Sequence, residues 1–199
     1  MVELIIVIAI MAILAAGIAP ALIRYINKSR KADDIAAAES IGTTFGAALT
    51  ENDCIYDYIS YAVQMDADMG TDAKKYRIIA YMDSDTQTNA FNLVSPSGID
   101  PGVYSEASTE AGKIMTNLMG DKIFKMKFRK DGYLDQWVLC ADSSYKLSVF
   151  VSSQISGGTN YIQSDHKVQG SSRKAYMIWP EVDSEYNAFT TPSDVASTP

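Results

Sequence analysis

From Leu4 to Ile23 the chain reads LIIVIAIMAILAAGIAPALI, twenty consecutive residues without a charge. At about 1.5 Å of rise per residue, such a helix spans roughly 30 Å, the thickness of a bilayer's hydrocarbon core. A run that is apolar on every side cannot be the one-faced surface helix of a soluble domain. It needs lipid around it, or other apolar chains, and a freely soluble monomer is excluded. The whole-chain averages conceal this, with 47% apolar and 21% charged residues among 199. They average a greasy segment with a polar remainder.

Three residues make the run more than an anchor. Glu3 is the only ionisable side chain among the first 23 residues. At the start of a helix its carboxylate meets the positive end of the macrodipole. Within hydrocarbon it costs roughly 3 kcal/mol unless a cation meets it. A pure anchor needs no acid. Gly17 and Pro20 lie inside the run, costing about 1 and 3 kcal/mol respectively against alanine in a helix. Pro20 also removes a backbone donor and crowds the carbonyl of Ala16. The stretch from about Ala12 to Pro20 reads either as a tolerated kink or as a segment that melts and extends.

Past Ile23, four of the eight residues Arg24 to Lys31 are basic. Apolar residues then recur at Ile35, Ala38, Ile41, Phe45, Ala48 and Leu49, which is helical spacing with charges between. The expectation is one helix of about fifty residues, its first half (1–23) apolar all round and its second (24–53) amphipathic. Residues 54–199 form a head domain. Its some 140 residues suffice for one modest core.

Within the head, Asn52-Asp53 can cap a second helix, because Ile55, Tyr58, Ile59, Ala62 and Val63 share a face. It is expected to end near Asp66. Tyr76 to Met82 reads as a strand, residues 84–102 as a loop, and Ser105 to Met119 as a helix. That helix has Ala111, Ile114, Met115 and Leu118 on one face and Gly120 as its C-terminal cap. Lys122 to Arg129 alternates with period two and predicts a strand, turned by Lys130-Asp131-Gly132 into a second from Tyr133 to Cys140. Leu134, Val138 and Cys140 are expected on one side of it. Tyr145 to Val151 and Lys174 to Trp179 complete a meander of about four strands with one solvated face. The tail from Thr190 reads as a flexible Ser/Thr/Pro segment. The fold class is α+β, a long N-terminal helix packed on a C-terminal antiparallel sheet.

The stretch VELIIVIAIMAILAAGIAP resembles the N-terminal helix of type IV pilins and pseudopilins, combining the acid, the apolar run, the internal glycine and the proline. The likeness covers about thirty residues, and APALIRYINKSRKADD is similar to pilins of the Gram-positive clostridial kind. It implies the type IV pilin fold and a subunit that polymerises through its N-terminal helix into an extracellular filament of identical copies. The subunit would be stored beforehand as a single-pass protein in the cytoplasmic membrane and handled by prepilin peptidase and the pilus assembly machinery. Glu3 then corresponds to the glutamate that neutralises the N-terminal amine of a neighbouring subunit, which makes Met1 the amine donor here. Gly17 and Pro20 match the segment melted in assembled filaments. The chain departs from the family in placing this glutamate two residues early and in opening on Met1 rather than on the phenylalanine that prepilin peptidase leaves, which reads either as processed or trimmed material or as unusual processing. The alternative within the same scaffold is a minor pilin or a pseudopilin of a type II secretion or competence system.

Other chemistries find little footing. A net charge of −7 argues against a general nucleic-acid binder. The basic row Lys122, Lys125, Lys127, Arg129 and Lys130 reads either as a DNA contact, among the uses of such fibres along with motility and adhesion to a host surface, or as protection of a strand edge. The single histidine, His166, leaves no multi-histidine metal site and weakens any histidine triad. Asp66 to Asp72 resembles half a calcium loop, yet no glutamate closes it. No cofactor, metal or enzymatic activity is expected. Cys54 and Cys140 allow either a disulfide, outside the membrane, or two free thiols. Asn27-Lys28-Ser29 fits a glycan acceptor but falls inside the helix.

Overall fold

The computed structural model describes residues 2–64, 76–84, 91–96, 98–119, 125–130, 132–153, 155, 161–169, 171 and 173–197. Helix α1, Val2–Glu51, is the expected fifty-residue helix and passes through Pro20 without interruption. A single non-helical residue, Asn52, separates it from α2, Asp53–Gln64. Its amide donates to the carbonyl of Ala48 while its own carbonyl accepts from Ile55 and Tyr56. The five apolar residues expected on one face of α2 are its buried ones.

A six-stranded antiparallel sheet follows. Strands β1 (Tyr76–Asp83), β2 (Phe91–Leu93), β3 (Gln136–Ala141), β4 (Leu147–Ser152), β5 (Tyr161–Ile162) and β6 (Tyr176–Trp179) are arranged β2-β1-β3-β4-β6, with β5 on β1. Register is regular between β3 and β4, where Val138 faces Phe150 and Cys140 faces Ser148. Helix α3, Pro101–Met119, precedes β3, and a short α4, Ser184–Ala188, leads to a final 3₁₀ turn at Pro192–Ser197.

The sheet is buried on both faces, contrary to the solvated face expected. Ile79, Met82, Trp137, Leu139, Val149, Val151 and Ile178 join one core with Ile41, Phe45, Ile59 and Met115 of the helices. Ile78, Val138, Cys140 and Phe150 point the other way, into a smaller core closed by Val94, Ile155, Ile162, Val168 and Ala175. Ile78 and Ile79 serve opposite cores by ordinary strand alternation, and a bulge at Ile79 lets the adjacent Ala80 join Ile79 in the first core. The covering segment is stapled on by Gln136, whose amide oxygen accepts from the Ile155 amide at 2.6 Å and whose nitrogen donates to the Ile155 carbonyl at 3.2 Å.

Four further expectations change. The Lys122–Arg129 strand does not form over its described part, 125–129. Met126 and Phe128 are buried and Lys125 and Lys127 exposed, as period two requires. Their backbone is held by a carboxylate instead of a neighbouring strand, as detailed below. Leu134 parts from Val138 and Cys140, because β3 begins only at Gln136, after a tight turn closed by the Lys130–Leu134 bridge, with Gly132 at φ 72°. Helix α3 starts at Pro101 rather than Ser105. The Asp100 carboxylate accepts from the amides of Gly102 and Val103, and Pro101 needs no donor in the first turn. Residues read as a turn are therefore a helix start. The tail is folded through Ser197 with Val195 buried, for Asp194 accepts from both the amides and the hydroxyls of Thr190 and Thr191 at 2.7–2.9 Å. Those donors hold its carboxyl down at about 2. Met1, the acidic loop 66–72, Gly120, Lys122, Asp131 and the side chain of Leu118 lie outside the described residues.

The seat of α1 against β6 leaves no room at Gly42. A Cβ there would stand 2.4–2.7 Å from the Trp179 ring. Gly42→Ala is expected to cost about 1–3 kcal/mol by overpacking. Thermal denaturation followed by circular dichroism in detergent should show it as a lower midpoint with the helix content intact.

Candidate assembly surface and its seat in the head

Burial on α1 begins at Asn27 and continues through Lys31, Asp34, Ala38, Ile41, Gly42, Phe45 and Ala48. N-terminal of this line every described residue of the helix is exposed. Every strongly exposed large apolar residue among the described ones lies between Val2 and Ile26, with the sole exception of Tyr56. Val2 is 70% exposed, Ile13 72% and Leu22 53%. The segment is long and apolar enough to cross a membrane. Glu3 sits in its first turn, exposed, and a Cβ on Gly17 would meet open space. Thus Glu3, Gly17 and Pro20 share one bare helix, and all three are exposed among the described residues.

The first three residues of the buried line are polar, and each is spent on backbone groups of the head. Asn27 donates through Nδ2 to the carbonyl of Thr190 at 2.9 Å, so the glycan-acceptor amide is engaged. Lys31 Nζ donates to the carbonyls of Tyr186 at 2.8 Å, Asn187 at 3.0 Å and Phe189. These are the orphan carbonyls at the end of α4, where a cation also meets the negative end of the helix. The ammonium lies 5.0 and 5.3 Å from the ring centres of Phe128 and Tyr186. Burial pushes the Lys31 pKa down, partly countered by the charge of Asp194.

Asp34 completes the set. Its two carboxylate oxygens accept from the amides of Lys127 and Phe128, at 2.7 and 2.8 Å. The residue is 1% exposed. Burial drives its carboxyl up to about 6, against the pull of the two amides and of Lys127 and with the push of Asp33. Next to it Lys127 Nζ reaches Asp33 at 2.8 Å on the surface, so part of the basic row answers an acid of the same chain. Lys130 lies 5.7 Å over the Tyr133 ring. Period-two and helical patterns locate apolar faces, and for that reason neither flagged Asn27, Lys31 or Asp34. The signal available was that they extend the stripe at steps of four, three and four into Ala38.

The two cysteines stay apart. Cys54 packs beside the helical core and Cys140 is buried in the core on the opposite face of the sheet, and both are free thiols. Burial raises the pKa of each.

Fold and surface together define a class: an α+β head gripping the C-terminal half of a long helix whose N-terminal half is bare, apolar and compatible with membrane insertion. Compared with protein-family models, curated proteins and solved structures, the chain matches none.

Two outcomes check the seat. Asp34→Ala leaves two buried amides without an acceptor, each costing about 1–3 kcal/mol, and should lower the thermal midpoint markedly. In the intact chain the folded state takes up a proton at Asp34 between its folded value of about 6 and its ordinary value of 3.8. Its contribution is thus fully present below pH 3.8 and lost as pH rises through about 6. Subtracting the stability of Asp34→Asn across this window should isolate that slope, which a solvated carboxylate would not give.

Proposed function

We propose that this chain is a structural subunit that polymerises through its N-terminal helix into an extracellular filament, in the manner of a type IV pilin. The observation that carries the reading is the segregation of exposed apolar side chains onto residues 2–26, on the same helix that is fastened into the head from Asn27 onward. A monomer with this surface requires lipid, and out of the bilayer it requires other copies. Each square ångström of apolar surface withdrawn from water contributes roughly 25 cal/mol, and some twenty side chains are at stake.

Glu3 is the register device in this reading. A carboxylate carried into an apolar bundle is strongly unfavourable unless a cation meets it, and the N-terminal amine of a neighbouring copy supplies one only at a matching axial offset. Gly17 and Pro20 weaken the helix where neighbouring helices must adjust to one another. The role is structural rather than enzymatic. The partners are further copies, the membrane before assembly, and an assembly machinery with its peptidase. Adhesion, motility and DNA uptake are the uses open to such a fibre, at a host surface or on DNA.

Glu3→Ala and Glu3→Gln should abolish filaments in sheared surface fractions while the monomer still accumulates in membranes. Electron microscopy and immunoblotting of the two fractions read this out, and normal filament yield from either variant would sink the mechanism. In the same fractions a major subunit dominates by mass, whereas a minor pilin or pseudopilin does not.

A further inference from the structure

Where the bare helix enters the head there is a groove of about 350 Å³, lined by Arg24, Lys28, Lys31, Ala32, Ile35, Asn187, Phe189 and Thr190. Its lining contains three cations and no acid. Lys31 is committed to the carbonyls that end α4. Asp194, the carboxylate that acts on Lys31, is itself occupied by four donors from Thr190 and Thr191. Arg24 and Lys28 differ from both. They are exposed, and among the described residues neither has an ion-pair partner. Two unneutralised cations therefore line one cleft whose other walls, apart from the committed Lys31, are apolar or uncharged polar.

Position along the helix adds a second argument. Arg24 directly follows the uncharged run that ends at Ile23. Lys28 comes one turn later, about 6 Å further along the axis. The headgroup layer adds about 5–8 Å on each side of the hydrocarbon core. With residues 4–23 in hydrocarbon, both cations fall at the depth of the lipid phosphates, and the mouth of the groove lies against the headgroups.

We propose that this groove is a binding site for the phosphate headgroup of an anionic phospholipid, held by Arg24 and Lys28 with the exposed Asn187 at the rim. Arg24 supplies a planar fork that suits phosphate oxygens, and Lys28 a mobile point charge. The site fixes the height and rotation of the subunit in the bilayer, and it operates on the membrane-inserted monomer. It rests on the membrane stage of the proposed function and not on filament formation.

The test uses the full chain in nanodiscs of equal phosphatidylglycerol and phosphatidylcholine, followed by native mass spectrometry of the lipids retained. Retention should favour phosphatidylglycerol. Each cation near an anionic surface is worth about fivefold, so Arg24→Gln with Lys28→Gln should reduce the preference by about 30-fold. Lys125→Gln with Lys146→Gln, the same charge change on the head, should leave it unaltered. Glu3→Gln should also retain it, which separates this site from filament assembly. Absence of a preference in the native chain, or an equal loss in the head variant, overturns the proposal. So does displacement of the lipid by inorganic phosphate, which would mark a soluble-anion site. Loss of filaments with unchanged lipid retention in the Arg24/Lys28 variant would assign the groove to a contact between subunits and overturn it likewise.

Discussion

A long helix that is bare for half its length must be held firmly where the bare part begins, and here that hold is polar. Apolar contact from Ala38 to Ala48 fixes which face of α1 meets the sheet, but apolar surfaces slide. Asn27, Lys31 and Asp34 turn the same face into a set of directed bonds to three backbone segments, at Thr190, at the end of α4 and at Lys127–Phe128. Each bond is made by a side chain of α1 to a main-chain group of the head. The loop 125–129 is held by the helix through Asp34, and the C-terminal segment is held by the helix and by β6 together. Removing one partner strands a buried polar group, which is why these residues constrain the arrangement more than their number suggests.

The elements visible from sequence are those whose order is decided by apolar spacing. Ile55, Tyr58, Ile59, Ala62 and Val63 predict α2 because a helix with that face has one way to lie on a core, and β1, β4 and β6 follow from β-formers bounded by turns. Spacing fails where a polar group substitutes for a neighbour. Met126 and Phe128 alternate like a strand, and their side chains do alternate between core and solvent, yet Asp34 does the work of the missing strand for their amides. The tail failed for the same reason. Its serines, threonines and prolines resemble a linker, and one carboxylate, Asp194, gathers four of their donors into a turn. The second core was hidden differently, since β3 and β4 are buried at every position, and their mostly apolar sequences lack the strict alternation that marks a half-buried strand. Of the assembly surface, the bare run with Glu3, Gly17 and Pro20 is plain in the sequence, whereas the junction that carries it needs the fold.

The two halves of α1 thus answer to different solvents without a hinge between them. Helical geometry passes unbroken from the exposed apolar half to residues that suit a protein core, so the orientation of the head follows that of the apolar half. The basic stretch Arg24 to Lys31 marks the change, with Lys31 buried in the head and Arg24 and Lys28 exposed.

The sheet's outline has a consequence of its own. One edge is the three-residue β2 together with the two-residue β5, and the other is the four-residue β6, followed at once by Pro180. Short edges and a proline offer little backbone for another strand to join. Heads of this shape can be crowded side by side without their sheets fusing.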